Sequence, residues 1–203
     1  MSAYPLVLDG SAISALVVGG GRVASRKAAS LVEAGADVHV VSPRVDPALE
    51  ELVSSGTALR ITKAAYTADH VGDALLVVAA TDDASLNARI AADARALGRL
   101  VNVVDAPELG NCITPAVHRA GDLVVAVSAG GVPGAAVRIR DSIARLFGAR
   151  YAEAVRELAA LRRTLLDEGR RDRWHEAASS LVAPDFCEQI ESGRLAERIA
   201  EWR

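Results

Sequence analysis

Short apolar runs and helical stripes alternate along the first half of the chain. Ala15-Leu16-Val17-Val18 is an apolar run that ends in Gly19-Gly20-Gly21. Val23, Lys27 and Leu31 recur at helical spacing, which predicts a helix over 22–34 with Gly35 as its stop. Val38-His39-Val40-Val41 follows as a strand closed by Ser42-Pro43, then 48–54 suits a short helix and 58–61 a third strand. Leu75-Leu76-Val77-Val78-Ala79 is apolar without interruption, the signature of a strand covered on both faces. Thr81-Asp82-Asp83 supplies cap residues for a helix whose Leu86, Ile90, Ala94 and Leu97 share one face, with Gly98 as its end. Leu100-Val101-Asn102-Val103-Val104 is a fifth strand. This βαβαβ alternation predicts a parallel sheet wrapped by helices.

After Asp105 the texture changes. Residues 106–115 read as a loop punctuated by Pro107, Gly110 and Pro115. A strand is predicted over 122–128, broken by Gly130-Gly131-Val132-Pro133, and a helix over about 134–147. From Tyr151 onward the pattern is helical only, with Tyr151, Val155, Leu158 and Leu165 as one apolar stripe, a charged turn at 168–172 and an interruption at Gly193. The boundaries fall near 112 and 150. A strand edge left open after Asp105 invites self-association.

Composition narrows the function classes. The 203 residues are 51% hydrophobic and 24% charged, the profile of a globular chain with a sizeable core. A net charge of -3 and 3% aromatics argue against a nucleic-acid partner. No apolar run approaches the roughly 18 residues of a membrane span, and Met1 to Leu8 lacks the layout of a secretory signal. Cys112 and Cys187 make no disulfide framework, so a reducing cytoplasm is the expected compartment. His39, His70, His118 and His175 have no partners at metal-ligand spacing, and no resident metal is expected.

Gly19-Gly20-Gly21-Arg22-Val23-Ala24 fits G-x-G-x-x-A between a strand and a helix. The first glycine permits the tight turn, Gly21 lets a pyrophosphate approach the backbone, and Ala24 keeps the helix close to the sheet. The helix N-terminus then offers free N–H groups to phosphates. With strand, turn, helix and strand in order, nucleotide binding is favoured over a bare glycine-rich turn, and the first domain reads as Rossmann-like. The acid expected about 20 residues on is missing. Ser42 suits a ribose hydroxyl and Arg44 a 2′-phosphate, while Asp37 and Asp46 flank the position without fitting it, so this motif leaves NAD and NADP both open.

Several segments together resemble the precorrin-2 dehydrogenase family, the first domain of siroheme synthases. They are Tyr4-Pro5-Leu6, the glycine turn through Lys27, Glu33-Ala34-Gly35-Ala36, Ala79-Ala80-Thr81-Asp82-Asp83 with Asn87, Val101-Asn102-Val103-Val104-Asp105, Pro115-Ala116 and Val127-Ser128-Ala129-Gly130-Gly131. The resemblance extends to Leu161-Arg162 and Arg170-Arg171-Asp172-Arg173-Trp174 in the tail. It implies NAD-dependent oxidation of precorrin-2 to sirohydrochlorin by a homodimer. It also implies three parts: an NAD-binding Rossmann-like domain at 1–112, a small α+β dimerisation segment at 113–149 and a helical C-terminal domain at 150–203. Some relatives also insert the metal, and a bifunctional dehydrogenase and chelatase is the alternative enzyme. A non-catalytic NAD-sensing domain is the alternative outside enzymes. The chain departs from its relatives at Cys112, where many carry an aromatic residue, and at Val132-Pro133 and Arg138.

Candidate chemistry follows from both lines. Gly19, Thr81 and Asp105 each follow a predicted strand and should crowd the carboxyl edge of the sheet, where open α/β folds bind ligands. The expected cofactor contacts are Gly19, Gly20, Gly21, Arg22, Val23, Ser42, Pro43, Thr81 and Asn102. Thr81 suits either a cofactor contact or a helix cap, and Asn102 either a cofactor contact or a structural role. Asp105 suits a turn before Ala106-Pro107, and equally a carboxylate that takes a proton or steadies positive charge on pyrrole nitrogens. The resemblance favours the second role. His118 and Ser128 are the further catalytic candidates, one by the pKa of its side chain and one by its match to relatives. Because the implied substrate carries many carboxylates, Arg119, Arg138 and Arg140 are the candidates for holding it.

Overall fold

The computed structural model describes residues 3–203. The chain divides into two compact units, Met1–Thr114 and Pro115–Arg203. In the first, β1 (Ser14–Val18), β2 (Asp37–Val41), β3 (Leu59–Thr62), β4 (Leu76–Ala79) and β5 (Leu100–Val103) form one parallel sheet in the order β3-β2-β1-β4-β5. The crossovers are α1 (Arg22–Glu33), α2 (Pro47–Ser54) and α3 (Ala84–Ala96).

The period of two along each strand divides the side chains between two cores. Ala15, Val17, Val38, Val40 and Val78 pack with Ala24 and Ala28 of α1 and Leu49 of α2. Leu16, Val18, Val77, Ala79, Val101 and Val103 pack with Ile90, Ala91 and Ala94 of α3 on the other face. Every residue of β4 is buried, which is why that run carries no polar residue. The expected α/β, Rossmann-like architecture followed by a helical C-terminal region is present, and the predicted elements of this unit lie within two residues of the observed ones.

The second unit opens with an antiparallel hairpin, β6 (Ala116–Ala120) and β7 (Leu123–Val127), turned at Gly121 with φ 58°. Helix α4 (Pro133–Leu146) packs on the hairpin. The helices α5 (Ala149–Asp167), α6 (Arg171–Leu181), α7 (Phe186–Ser192) and α8 (Arg194–Ala200) share a core of Tyr151, Ala154, Leu161, Leu165, Ala177, Leu181, Ile190, Leu195 and Ile199. The stripe expected on α5 is shifted: Tyr151 and Leu165 are buried, but Ala154 and Leu161 complete the inner face while Val155 and Leu158 are half-buried. Strand β6 has no counterpart in the sequence reading. Its Ala-Val-His-Arg-Ala run is only half-buried and alternates too weakly to announce a strand. The interruption at Gly193 is real, with φ 79° between α7 and α8.

Candidate functional site

The strand order reverses between β1 and β4, and the loops that leave their carboxyl ends part around a crevice there. Gly19, straight after β1, has φ 127° and would place a Cβ 2.3 Å from the Ala80 carbonyl oxygen, so no other residue fits against the end of β4. A Cβ on Gly21 would meet nothing within 4 Å. Gly21 is also the N-cap of α1 and brings no side chain to cap it, so the first turn of the helix faces outward with its N–H groups available. A cleft of about 790 Å³ opens at this turn, lined in part by Gly19, Gly20, Gly21, Arg22, Val23, Ser42, Pro43 and Thr81. The cradle fits a dinucleotide: steric closure behind Gly19, open room and helix N–H groups in front of Gly21.

The turn after β2 forms the neighbouring wall. A Cβ on Gly20 would lie 1.9 Å from the Arg44 carbonyl oxygen, and the Asp46 N–H donates to the Gly20 carbonyl at 2.7 Å. The two turns are therefore clasped backbone to backbone. Ser42 is buried and its hydroxyl donates to the Arg44 carbonyl at 2.6 Å, which leaves its oxygen free to accept from a ribose hydroxyl. The Arg44 side chain is exposed on the cleft wall. Asp46, which the sequence placed too far beyond the strand, also lines the cleft while its Oδ1 accepts from Ala48 N–H and caps α2. Tyr66 and Arg89 line it as well. The Arg89 guanidinium lies 5.7 Å from the Tyr66 ring centre. Burial and a hydrogen bond to Asp93 hold the Tyr66 phenol far above its ordinary pKa. Neither residue carried a sequence signal, because their approach depends on the packing of the loop after β3 against α3.

On the other side of the reversal, Thr81 follows β4 and Asp105 follows β5. Asp83 caps α3 by accepting from Leu86 N–H at 3.0 Å, so the cap does not need Thr81. The Thr81 hydroxyl instead donates to Asn87 Oδ1 at 2.7 Å. Asn87, 1% exposed, passes the link on: its Nδ2 donates to Asp105 Oδ1 at 3.1 Å. Asn87 stood in the resembling segments without a role, and only the fold shows what it touches. The Asp105 carboxylate is exposed and does not line the cleft itself; it is tied through Asn87 to Thr81, which does.

Asn102 is not on the cleft wall. It is 5% exposed on β5, donates to the Cys112 carbonyl at 3.2 Å and leaves its Oδ1 buried without a hydrogen-bond partner among the described residues. Cys112 lies half-buried beside Lys27, whose ammonium contacts the Thr114 hydroxyl. Burial pushes the Cys112 thiol above its ordinary pKa, against the pull of Lys27, which disfavours the thiolate. Burial also lowers Lys27, helped by Arg26.

The remaining candidates belong to the second unit. His118 on β6 donates from Nε2 to the Phe147 carbonyl at 2.6 Å, leaving Nδ1 for other chemistry. Ser128 is exposed just past β7, and Arg119 and Arg138 are exposed. Arg140 is half-buried, paired with Asp141 at 2.6 Å and reaching the Val117 carbonyl at 3.5 Å. Among the described residues no group of three or more His, Cys, Asp or Glu is placed to hold a metal ion, and no helix is long and apolar enough to cross a membrane.

Strand order, glycine turn and cleft together define a dinucleotide-binding protein of the Rossmann class. The sequence model of the family described as "Putative NAD(P)-binding" matches residues 6–116, and the chain belongs to that family. It is similar to the siroheme synthase of Saccharophagus degradans, 35% identical over 202 residues that cover 97% of this chain and 43% of the relative. It is 43% identical to the siroheme synthase of Pseudomonas putida over 190 residues, 90% of this chain and 38% of that one. It shares the fold of the solved structure of SirC, precorrin-2 dehydrogenase, with a TM-score of 0.74 at 24% identity over 98% of this chain and 100% of the other. The resemblance to the precorrin-2 dehydrogenase family therefore holds. The chain spans about two fifths of the length of the curated relatives it matches.

Proposed function

We propose that this chain oxidises precorrin-2 to sirohydrochlorin with NAD. The observation that carries the reading is a carboxylate, Asp105, standing at the end of β5 and tied by Asn87 to the wall of the dinucleotide cleft. The siroheme synthase relatives and the fold shared with SirC support the choice of substrate.

The reaction removes two hydrogens from the macrocycle as one hydride and one proton, so that two electrons leave with the hydride. The nicotinamide, when bound, supplies the hydride acceptor. The chain does the rest. The α1 N-terminus and the open backbone at Gly21 hold the pyrophosphate, with Arg22 and Val23 at the turn. Ser42 accepts from the ribose beside Pro43, and Thr81 borders the nicotinamide end. Asp105 takes the proton released from the tetrapyrrole. In the second unit, His118 and Ser128 are the further candidates for acid–base work, and Arg119, Arg138 and Arg140 those for substrate carboxylates. Residues 113–149 act as a dimerisation segment between the NAD-binding domain at 1–112 and the helical domain at 150–203. The hairpin supports this, since among the described residues β6 and β7 pair only with each other and each leaves an edge. Two free thiols suit a reducing cytoplasm.

The test mixes the protein with precorrin-2 and either NAD or NADP and follows sirohydrochlorin absorption. Sirohydrochlorin and reduced coenzyme should form in equal amounts, faster with NAD. Asp105→Ala should lose about a hundredfold or more in kcat while binding NAD as tightly as the parent. No turnover with either coenzyme, or unchanged turnover in a folded Asp105→Ala, overturns the reading.

A further inference from the structure

Asn87 sits in the first turns of α3 with 1% of its surface exposed. A buried carboxamide has two acceptor sites and two N–H groups to satisfy, and here all four are used. Its Oδ1 accepts from Thr81 N–H at 3.2 Å and from the Thr81 hydroxyl at 2.7 Å. Its Nδ2 donates to the Thr81 carbonyl at 3.2 Å and to Asp105 Oδ1 at 3.1 Å. The partners fix the orientation of the amide. Turned over, it would set donor against the Thr81 N–H and acceptor against both a carbonyl and a carboxylate.

One side chain thus joins the loop after β4, which borders the cleft, to the acid after β5. Aspartate has the shape but lacks the two donors, serine is too short to span the gap, and glutamine is one methylene too long. The Asp105 carboxylate is exposed, and the outer torsion of an aspartate is broad and soft. The Asn87 bond removes that freedom by pinning Oδ1, and among the described residues Oδ2 accepts no hydrogen bond, so it is the oxygen left for the substrate.

We propose that Asn87 is a positioning residue for the oxidation: it holds the Asp105 carboxylate in fixed register with Thr81, so that acid and coenzyme cleft share one frame. This rests on the dehydrogenase reading above. A purely structural role, stitching α3 to β4, uses only the Thr81 bonds. The role proposed here uses the Asp105 bond.

Asn87→Asp keeps both acceptor bonds to Thr81 but loses both Nδ2 bonds and sets a carboxylate beside Asp105, so the cycle with Asp105→Asn separates the two. The full chain and its Asn87→Asp, Asp105→Asn and double variants are compared in NAD titrations and in single-turnover oxidation of precorrin-2, which reaches slow variants. Asn87→Asp should bind NAD within about threefold of the parent and show little change in KM, yet oxidise about tenfold or more slowly, the scale of a misplaced acid–base group. In the Asp105→Asn background the same change should cost less than about twofold, since the group it positions is gone. If Asn87→Asp turns over like the parent, or slows Asp105→Asn by as much as it slows the parent, the positioning role is wrong. If Asp105→Asn itself turns over normally, the dehydrogenase reading has failed instead. Should Asn87→Asp melt below the assay temperature, Asn87→Ser goes through the same cycle, and the same loss of coupling to Asp105 decides the outcome.

Discussion

Gly20 and Gly21 stand side by side for opposite reasons. A methyl group at Gly20 would lie 1.9 Å from a backbone oxygen that cannot rotate away, whereas one at Gly21 points into open space. Gly20→Ala should therefore cost about 1–3 kcal/mol of stability, the usual range for overpacking. Gly21→Ala should leave the melting temperature nearly unchanged and weaken NAD binding, because its methyl group occupies the room a pyrophosphate needs. Thermal melts with and without coenzyme check both. The sequence motif assigned the close approach at Gly21 and the tight turn at Gly19, but gave no reason for Gly20, because the Arg44 carbonyl arrives from another loop. Asn87 was opaque for the same cause, its partners being six and eighteen residues away.

At the scale of elements, β2 carries a pH response. Burial lowers the pKa of His39 from the ordinary 6.5, aided by the charges of Arg60 and His70 and opposed by Asp37. The folded chain thus prefers the neutral imidazole, which meets the Thr62 hydroxyl at 2.8 Å. Above about pH 6.5 both folded and unfolded forms are neutral and the stability is whole; as pH falls below that, the unfolded chain takes the proton first and stability is lost. The melting temperature of the parent should drop more steeply than that of His39→Asn between about pH 7 and about pH 5. Among the helices, Arg198 of α8 donates to Gln189 Oε1 at 2.5 Å and to the Ser180 carbonyl at 2.9 Å, bracing α6 and α7. Gln189 is 1% exposed, so Arg198→Ala orphans a buried acceptor and should cost about 1–3 kcal/mol in denaturant unfolding. Strands β1 and β4 were legible because both of their faces are buried and both runs are apolar. The half-exposed β6, with His118 and Arg119 at its centre, offered no such pattern.

For the molecule as a whole, the order of strands and helices in Met1–Thr114 was readable from apolar periodicity together with the stops at Gly35, Pro43 and Gly98. Which side chains meet across the carboxyl edge was readable only as far as the ends of strands told it. The proposed dimer places a demand on the whole chain: sedimentation should find twice the mass of 21.1 kDa at micromolar concentration, and a monomer there removes the dimerisation role from 113–149.

Residue 44 is gripped through its main chain. The Ser42 hydroxyl bonds its carbonyl, the bare Gly20 backbone abuts it, and neither contact consults the guanidinium, which stands in solvent at the cleft. Charge at this spot can drift from one descendant to the next without disturbing the scaffold beneath. Arg44→Gln should accordingly melt close to the parent, so that any change it makes in the ratio of NAD to NADP affinity reports on the side chain alone.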